Sequence, residues 1–139
     1  MRCRAAEADR LLSRVDPGRL FGGRAVGLRD GAVLALLAAG LTSIEISTLR
    51  ASAVTMNDGQ VQIAIQRRGI TWSATLPTAL GARLLAWLSE RRLWGEEVPL
   101  FTCRRGGPLS HSGISGVLHR YRHHPPRPAR KRIKRRKRK

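Results

Sequence analysis

Residues 60–76 read QVQIAIQRRGITWSATL, and apolar side chains alternate there with polar or small ones. In the first run Val61, Ile63 and Ile65 occupy every second position, and the same period returns after the glycine. A period of two is typical of a strand that buries one face. The Arg-Arg-Gly segment between the two runs, residues 67–69, is short enough for a tight turn. This stretch therefore predicts an antiparallel hairpin, and it decides the fold class.

A second turn signal lies just upstream of this hairpin. Asn57, Asp58 and Gly59 precede the first run, and Asp-Gly is a preferred pair for the two-residue turn of a hairpin. Residues 54–56 can supply a third strand before that turn. We therefore expect a small antiparallel sheet of two or three strands.

Further upstream the apolar period is helical. Residues 5–15 place apolar side chains at the i, i+3, i+4 and i+7 positions of an amphipathic helix. We expect a glycine-containing loop over residues 19–28. Asp30 is then placed to cap a second helix, which stops at Gly40. The chain before the hairpin thus predicts helices joined by glycine-containing segments.

Thr42 and Glu45 have the spacing of a capping box at the start of a short third helix. In this motif the hydroxyl of the first residue and the carboxylate three residues later each accept a backbone N–H of the other. Leu41, Ile44 and Leu49 are expected to face inward. Capping is therefore the expected role of the Glu45 carboxylate.

Two further helices are expected after the sheet. One begins near Pro77, because proline is favoured where a helix starts, and the last is capped by Ser110 or Ser112. The inward positions, at helical spacing, are Leu80, Leu84, Leu85 and Leu88 in the first of these helices and Ile114, Val117, Leu118 and Tyr121 in the second. The predicted fold is an α+β, mainly helical domain with its helices packed around the small antiparallel sheet.

The charge of this 139-residue chain is strongly positive, with 27 Lys and Arg against 9 Asp and Glu and a net charge of +18. This balance makes a polyanion the expected partner and excludes an acidic partner-binding surface. Twelve of the basic residues lie in residues 119–139, which contain no acidic residue. Residues 123–139 have too little apolar surface to offset the entropy of ordering, so we expect a disordered basic tail after a domain over residues 1–122.

The candidate DNA contacts are basic residues in the hairpin turn, in a glycine-rich loop and in the tail. They are Arg67, Arg68, Arg104, Arg105, Arg130, Lys131, Arg132, Lys134, Arg135 and Arg136. Each can hold a phosphate of the DNA backbone, and such contacts carry no base specificity directly.

The aromatic side chains are expected to be structural. Trp72, Trp87 and Trp94 are expected in the core rather than as base-stacking platforms. Tyr121, the single tyrosine of the chain, takes an inward position of the last helix and is expected to pack in the core or at its rim. His111 is expected at the surface.

Several classes of protein and site are excluded by what the sequence lacks. Cys3 and Cys103 are far apart and have no spaced Cys or His neighbours, so we expect no disulfide framework, no metal and no cofactor. The longest apolar stretch, residues 32–41, is much shorter than the ~20 residues that cross a membrane. The first ten residues lack the apolar core of a secretion signal. We expect a cytoplasmic protein with no membrane partner.

Three segments resemble, in the same order, the first half of the catalytic domain of tyrosine site-specific recombinases, the phage integrase family. They are RDGAVLALLAAGLTSIEISTL at residues 29–49, TLPTAL at residues 75–80 and PLFTCRRGGPLSHSGISGVLHRY at residues 99–121. In the first segment Gly40 and Glu45 match a family pattern in which a helix runs into Thr-Gly-Leu-Arg, two variable residues and Glu-Leu.

The resemblance covers about residues 5–122 and implies a role in DNA recombination and integration. Family members cleave a DNA strand with a tyrosine, while arginines hold the phosphate and a lysine on the hairpin turn protonates the leaving oxygen. Here Thr42 stands at the position of the first arginine, and Arg68 lies near the position of the lysine. Beyond Tyr121 no nucleophilic tyrosine follows, and the His-x-x-Arg spacing found there, from His124 to Arg127, encloses two prolines that block a helix, so it is not the family's box. The resemblance therefore implies a truncated, catalytically incomplete fragment that binds DNA and has no catalytic residue.

Two alternative hypotheses stay open. The chain could be a non-enzymatic basic nucleic-acid-binding protein that acts through its Arg/Lys-rich tail, with the body as a scaffold. It could also be a full enzyme with a relocated site.

The hypothesis of a truncated fragment leads to a prediction about the protein surface. Helices that complete the family domain are missing, so self-association through exposed apolar helix faces is expected. The side chains concerned are Leu80, Leu84, Leu88, Ile114, Val117 and Leu118.

Overall fold

The alternating stretch and the segment before it form a three-stranded antiparallel sheet, which packs among five helices of the described part of the chain. A computed structural model describes residues 2–12, 24–103 and 106–123. In chain order the elements are α1 (Arg2–Leu12), α2 (Arg24–Ala38), α3 (Ser43–Ser47), a 3-10 turn (Ala51–Ala53), β1 (Val54–Asn57), β2 (Gln60–Arg67), β3 (Ile70–Thr75), α4 (Thr78–Arg91) and α5 (His111–His123). The predicted α+β, mainly helical fold is confirmed, with the third strand present.

The sheet has the strand order β1-β2-β3, and tight turns join its neighbours. Asp58 and Gly59 have φ angles of 53° and 78°, and Arg68 and Gly69 have φ angles of 52° and 79°. Positive φ at both central residues is the signature of the type I′ turn, whose twist matches that of the flanking strands. The two predicted turns are therefore confirmed at the predicted residues.

One face of the sheet packs on α4. Val61, Ile63 and Ile65 of β2 are buried, as their alternation predicted. Gly81 of α4 lies directly over this face, and a Cβ atom at that position would approach Val61 Cγ2 to 3.0 Å. The absent side chain thus lets the helix sit close to the central strand.

The second helix begins earlier than the sequence predicted. α2 starts at Arg24, so the expected loop over residues 19–28 is wrong for its last five residues, and the rest of it lies outside the described residues. Asp30 is in the second turn of α2 and fully buried, so it is not a cap. Arg120 and Tyr121 of α5 donate hydrogen bonds to the Asp30 carboxylate. The side chain is therefore satisfied within the helix, and α2 continues through this position. The predicted end of the helix is confirmed.

That end is a Schellman motif. Gly40 has a φ of 101°, its N–H donates to the Leu37 carbonyl at 3.0 Å, and the Leu41 N–H donates to the Leu36 carbonyl at 3.1 Å. A glycine takes this left-handed conformation without the steric cost of a Cβ. The sharp turn that follows places the start of α3 beside the end of α2.

The helices after the sheet bury their predicted faces. Leu80, Leu84 and Leu88 of α4 and Ile114, Val117 and Leu118 of α5 are at most 8% exposed, and Leu85 is half-buried. The expectation that these six side chains, at most 8% exposed, would present apolar surface to solvent is therefore wrong. The apolar centre of α2 packs against both α4 and α5, so it covers these faces within one chain. Self-association stays a prediction, without this support.

Two further expectations concern a membrane-spanning helix and the basic tail. No helix within residues 2–12, 24–103 and 106–123 is long and apolar enough to cross a membrane. The tail expected over residues 123–139 lies outside the described part of the chain, apart from His123, the last residue of α5.

Candidate functional site

A half-open cleft of about 650 Å³ lies where the α2–α3 turn meets the β2–β3 turn and the start of α5. Leu37 and Leu41 form part of its apolar floor, and Thr42, Arg67 and His111 contribute polar groups. We call it the Thr42 cleft. His111 is exposed at its edge, as predicted.

Thr42 is held in place by the predicted capping box. The Glu45 N–H donates to Thr42 Oγ1 at 3.1 Å, and the Thr42 N–H donates to Glu45 Oε1 at 2.9 Å. Both groups satisfy N–H donors that a helix start leaves free. The Thr42 hydroxyl is therefore a helix cap.

Ile44 departs from its predicted position. It is 64% exposed and lines the Thr42 cleft, whereas Ile46 is buried in its place. The five-residue helix α3 has one inward face, and the capping box sets which residues lie on it. Leu41 and Leu49 are buried as predicted.

The Glu45 carboxylate also binds a side chain that the sequence did not indicate. Arg67 binds it through one edge of its guanidinium, with Nη2 donating to Oε1 at 3.0 Å and Nε donating to Oε2. These hydrogen bonds from Arg67 are the main reason why the pKa of Glu45 lies below its ordinary value, although partial burial opposes them. Arg67 Nη2 also reaches the Gly40 carbonyl at 3.4 Å. The fork ties the β2–β3 turn to the α2–α3 turn.

The structure describes two of the predicted phosphate contacts, Arg67 and Arg68. Arg68 lies at the exposed apex of the β2–β3 turn, with its side chain in solvent. Arg67 is half-exposed but engaged with Glu45, so a phosphate there would compete with a carboxylate already in place. The other candidates, Arg104, Arg105, Arg130, Lys131, Arg132, Lys134, Arg135 and Arg136, lie outside the described residues.

Hydroxyl groups join α3 to the beginning of α5. Ser43 Oγ and Ser115 Oγ are 3.1 Å apart, and both residues line the Thr42 cleft. Of the two alternatives for the cap of α5, Ser110 is the one observed, since its Oγ accepts the Gly113 N–H at 3.1 Å. The start of α5 is thereby fixed beside the start of α3.

Tyr121 lies away from this cleft, in a buried polar network between α2 and α5. Its side chain is 0% exposed, and its hydroxyl donates to Asp30 Oδ2 at 3.0 Å. Arg120 Nη1 donates to the same oxygen at 2.9 Å, and Arg29 Nη2 donates to Oδ1 at 3.0 Å. We call these four residues the Asp30 network. The predicted core role of Tyr121 is confirmed.

Burial governs the protonation of both acidic groups in the Asp30 network. Desolvation raises the pKa of Asp30, against the lowering effect of Arg29 and Arg120. Desolvation and the neighbouring Asp30 charge raise the pKa of Tyr121 above its ordinary value of 10.0. A phenol that is buried and held neutral cannot reach or attack a phosphodiester.

Alkaline titration is expected to separate Tyr121 from an exposed tyrosine. Because its folded pKa is raised, the unfolded state loses the proton first, so Tyr121 contributes stability below pH 10 that is lost as the pH rises further. Tyrosinate absorbance should therefore appear together with the loss of helical ellipticity. Tyr121→Phe should show no tyrosinate signal, because Tyr121 is the single tyrosine. Ionisation near pH 10 with the helical signal intact would contradict this expectation.

The three tryptophans differ in burial. Trp87 is in the core as predicted, where its indole N–H donates to the Leu100 carbonyl at 2.8 Å and its ring lies 6.0 Å from that of Phe101. Trp72 and Trp94 are 54% and 41% exposed, so their predicted core positions are wrong. β3 is an edge strand, and Trp94 lies in the loop after α4.

Comparison with known proteins does not place the chain in a family. No protein-family model matches it, and no curated protein matches it significantly. Among the described residues no cluster of His, Cys, Asp or Glu could hold a metal ion.

Proposed function

We propose that this chain is a DNA-binding protein that resembles the front part of a tyrosine-recombinase catalytic domain and does not cleave DNA. One observation carries the proposal. Thr42 and Arg67, which are distant in the sequence, line the same cleft. The resemblance assigns Thr42 to the family's first arginine and places the family's lysine on the turn that begins after Arg67. By this resemblance, the position of the first arginine shares a cleft with Arg67, the residue just before Arg68, which stands near the position of the lysine.

The groups around the cleft support binding rather than bond breaking. The Thr42 hydroxyl is engaged as a cap, and the Arg67 guanidinium is engaged with Glu45. Arginine keeps its proton at neutral pH, so neither Arg67 nor Arg68 is suited to protonate a leaving oxygen. Tyr121 is buried in the Asp30 network. Phosphate binding without transfer is the chemistry that remains for these residues.

Electrostatics support DNA as the partner. The net charge of +18 attracts a polyanion, and Arg68 offers a solvent-exposed guanidinium at a turn apex. Backbone contacts of this kind give affinity without base specificity. The proposal extends to a role in DNA recombination or integration in the cytoplasm.

A second candidate function rests on the distribution of charge. Ten of the 27 basic residues lie in the tail, residues 123–139, and this number is enough for most phosphate contacts of a small protein. In that case the tail alone binds nucleic acid and the body is a scaffold.

The test uses the full chain with every Lys and Arg of residues 124–139 changed to Gln, which keeps the body unaltered. We expect this variant to retain weak, salt-sensitive affinity for duplex DNA at low salt. Loss of all measurable affinity would favour the tail-only function. Incubation of the unmodified chain with a nicked duplex should yield no covalent protein–DNA adduct, and detection of an adduct would overturn the non-cleaving assignment.

A further inference from the structure

The apolar face of the sheet continues beyond the core at strand β3. Trp72 is opposite Ile65 and Ile70 is opposite Arg67 in the β2–β3 register. Opposite residues of an antiparallel pair project to the same face, so Trp72 lies on the face that carries the core. Ile65 is 4% exposed, whereas Trp72 and Ile70 are 54% and 58% exposed. The helices therefore cover the middle of this face and leave its β3 margin open.

This open margin adjoins basic groups. β3 is at the edge of the described sheet, and the turn that leads into it presents the exposed side chain of Arg68. Arg67 lies on the same face as Ile70. It forms an ion pair with Glu45, so the negative charge of that carboxylate is neutralised. We call Arg68, Ile70 and Trp72 together the Trp72 platform. It combines an indole, an aliphatic side chain and a guanidinium in a short stretch of chain.

We infer that the Trp72 platform binds an unpaired nucleobase, with the indole of Trp72 stacked on the base and Arg68 on the adjoining phosphate. The inference rests on the proposed function and adds to it a preference for single-stranded DNA. An exposed aromatic ring beside a cationic groove is the arrangement by which proteins hold single strands, because every base offers a π face. In a duplex those faces are occupied by neighbouring base pairs.

Charge selects this occupant over a second copy of the chain. Each copy carries a net charge of +18, so two copies repel each other, whereas a nucleic acid strand is attracted. A strand also satisfies both parts of the platform, since a base covers the apolar surface and a phosphate meets the guanidinium.

Trp94 provides a matched control on the same molecule. Its exposure of 41% is close to that of Trp72, but Glu96 and Glu97 follow it closely in the chain. Arg91 and Arg92 precede it, so the local charges balance and no net positive charge favours a phosphate backbone there. Stacking on Trp94 is therefore not expected.

The experiment measures the affinity of the full chain for a thymidine oligonucleotide and for a duplex of equal length at one salt concentration. Stacking on one aromatic side chain implies a loss of about tenfold or more in single-strand affinity for Trp72→Ala. Duplex affinity should change little, so the ratio of the two affinities falls. Trp72→Phe keeps a ring and should retain most of the single-strand affinity, and Trp94→Ala should leave the ratio unchanged. Single-strand binding should also quench tryptophan fluorescence in the unmodified chain and much less in Trp72→Ala.

Several results would overturn the inference while leaving the proposed function intact. One is an equal loss for single strand and duplex in Trp72→Ala, and another is an equal loss in Trp94→Ala. A change in oligomeric mass on Trp72→Ala, measured by sedimentation, would assign the platform to a second copy. If the unmodified chain binds neither nucleic acid, the proposed function itself fails.

Discussion

Neutralising six basic residues of the tail is expected to flatten the salt dependence of duplex binding. The six are Arg130, Lys131, Arg132, Lys134, Arg135 and Arg136. Each phosphate neutralised contributes about −0.9 to the slope of log affinity against log salt, so six changes to Gln should reduce the slope by about five. Between 50 and 200 mM salt six contacts account for roughly a 10³-fold loss of affinity, and the variant should escape that loss.

A charge-preserving control distinguishes electrostatics from sequence-specific contacts. A chain in which residues 124–139 are permuted keeps its basic residues and should keep the original slope. Fluorescence anisotropy over a salt series gives both slopes. If the six-residue variant kept the slope of the unmodified chain, the phosphate contacts would belong to the body and the expected role of the tail would be wrong.

Asp30→Ala is expected to lower the free energy of unfolding by about 3–5 kcal/mol, the range found when one partner of a buried ion pair is removed. Asp30 is 0% exposed and accepts hydrogen bonds from Arg29, Arg120 and Tyr121. Without it the Tyr121 hydroxyl loses its acceptor, and two guanidinium groups lose their counter-charge. Arg120 is 34% exposed at its side chain and can recover some solvation, which favours the lower end of the range.

Denaturant unfolding measures this effect, and two variants calibrate it. Asp30→Asn keeps an acceptor of similar size and should lose less stability than Asp30→Ala. Glu7→Gln removes the charged partner of Arg122 in a surface ion pair between α1 and α5, where a much smaller loss is expected because solvent screens the charges. A loss for Asp30→Ala no larger than that for Glu7→Gln would show that the Asp30 network does not hold α2 to α5.

Much of the fold could be predicted because its signals are local. The alternation at Val61, Ile63 and Ile65 depends on the period of a strand, and the turn at Arg68 and Gly69 depends on backbone conformations of adjacent residues. The capping box of Thr42 is likewise complete within four residues. Such features involve neighbours in the chain, so no knowledge of the packing is needed to predict them.

Asp30 shows why one prediction for the early part of the chain failed. An aspartate before an apolar helical run has the pattern of an N-cap, and the groups that satisfy it instead, Arg120 and Tyr121, come from α5 at the other end of the chain. The apolar residues on both sides of it in α2, at positions 25–28 and 32–38, were the one signal that could have indicated burial. The local sequence around Asp30 does not show which distant hydrogen-bond donors will contact its carboxylate in the folded chain.

Residue order alone specifies the sheet, its turns, the capping box and the inward faces of α4 and α5, because these follow from period and local backbone geometry. That Arg67 binds Glu45, that Asp30 is buried and that Trp72 is exposed follows only from the packing of distant segments. These three outcomes depend on which surfaces meet when the helices pack on the sheet. Strand alternation places Trp72 on the apolar face, but the reach of the covering helices decides whether that part of the face meets protein or solvent.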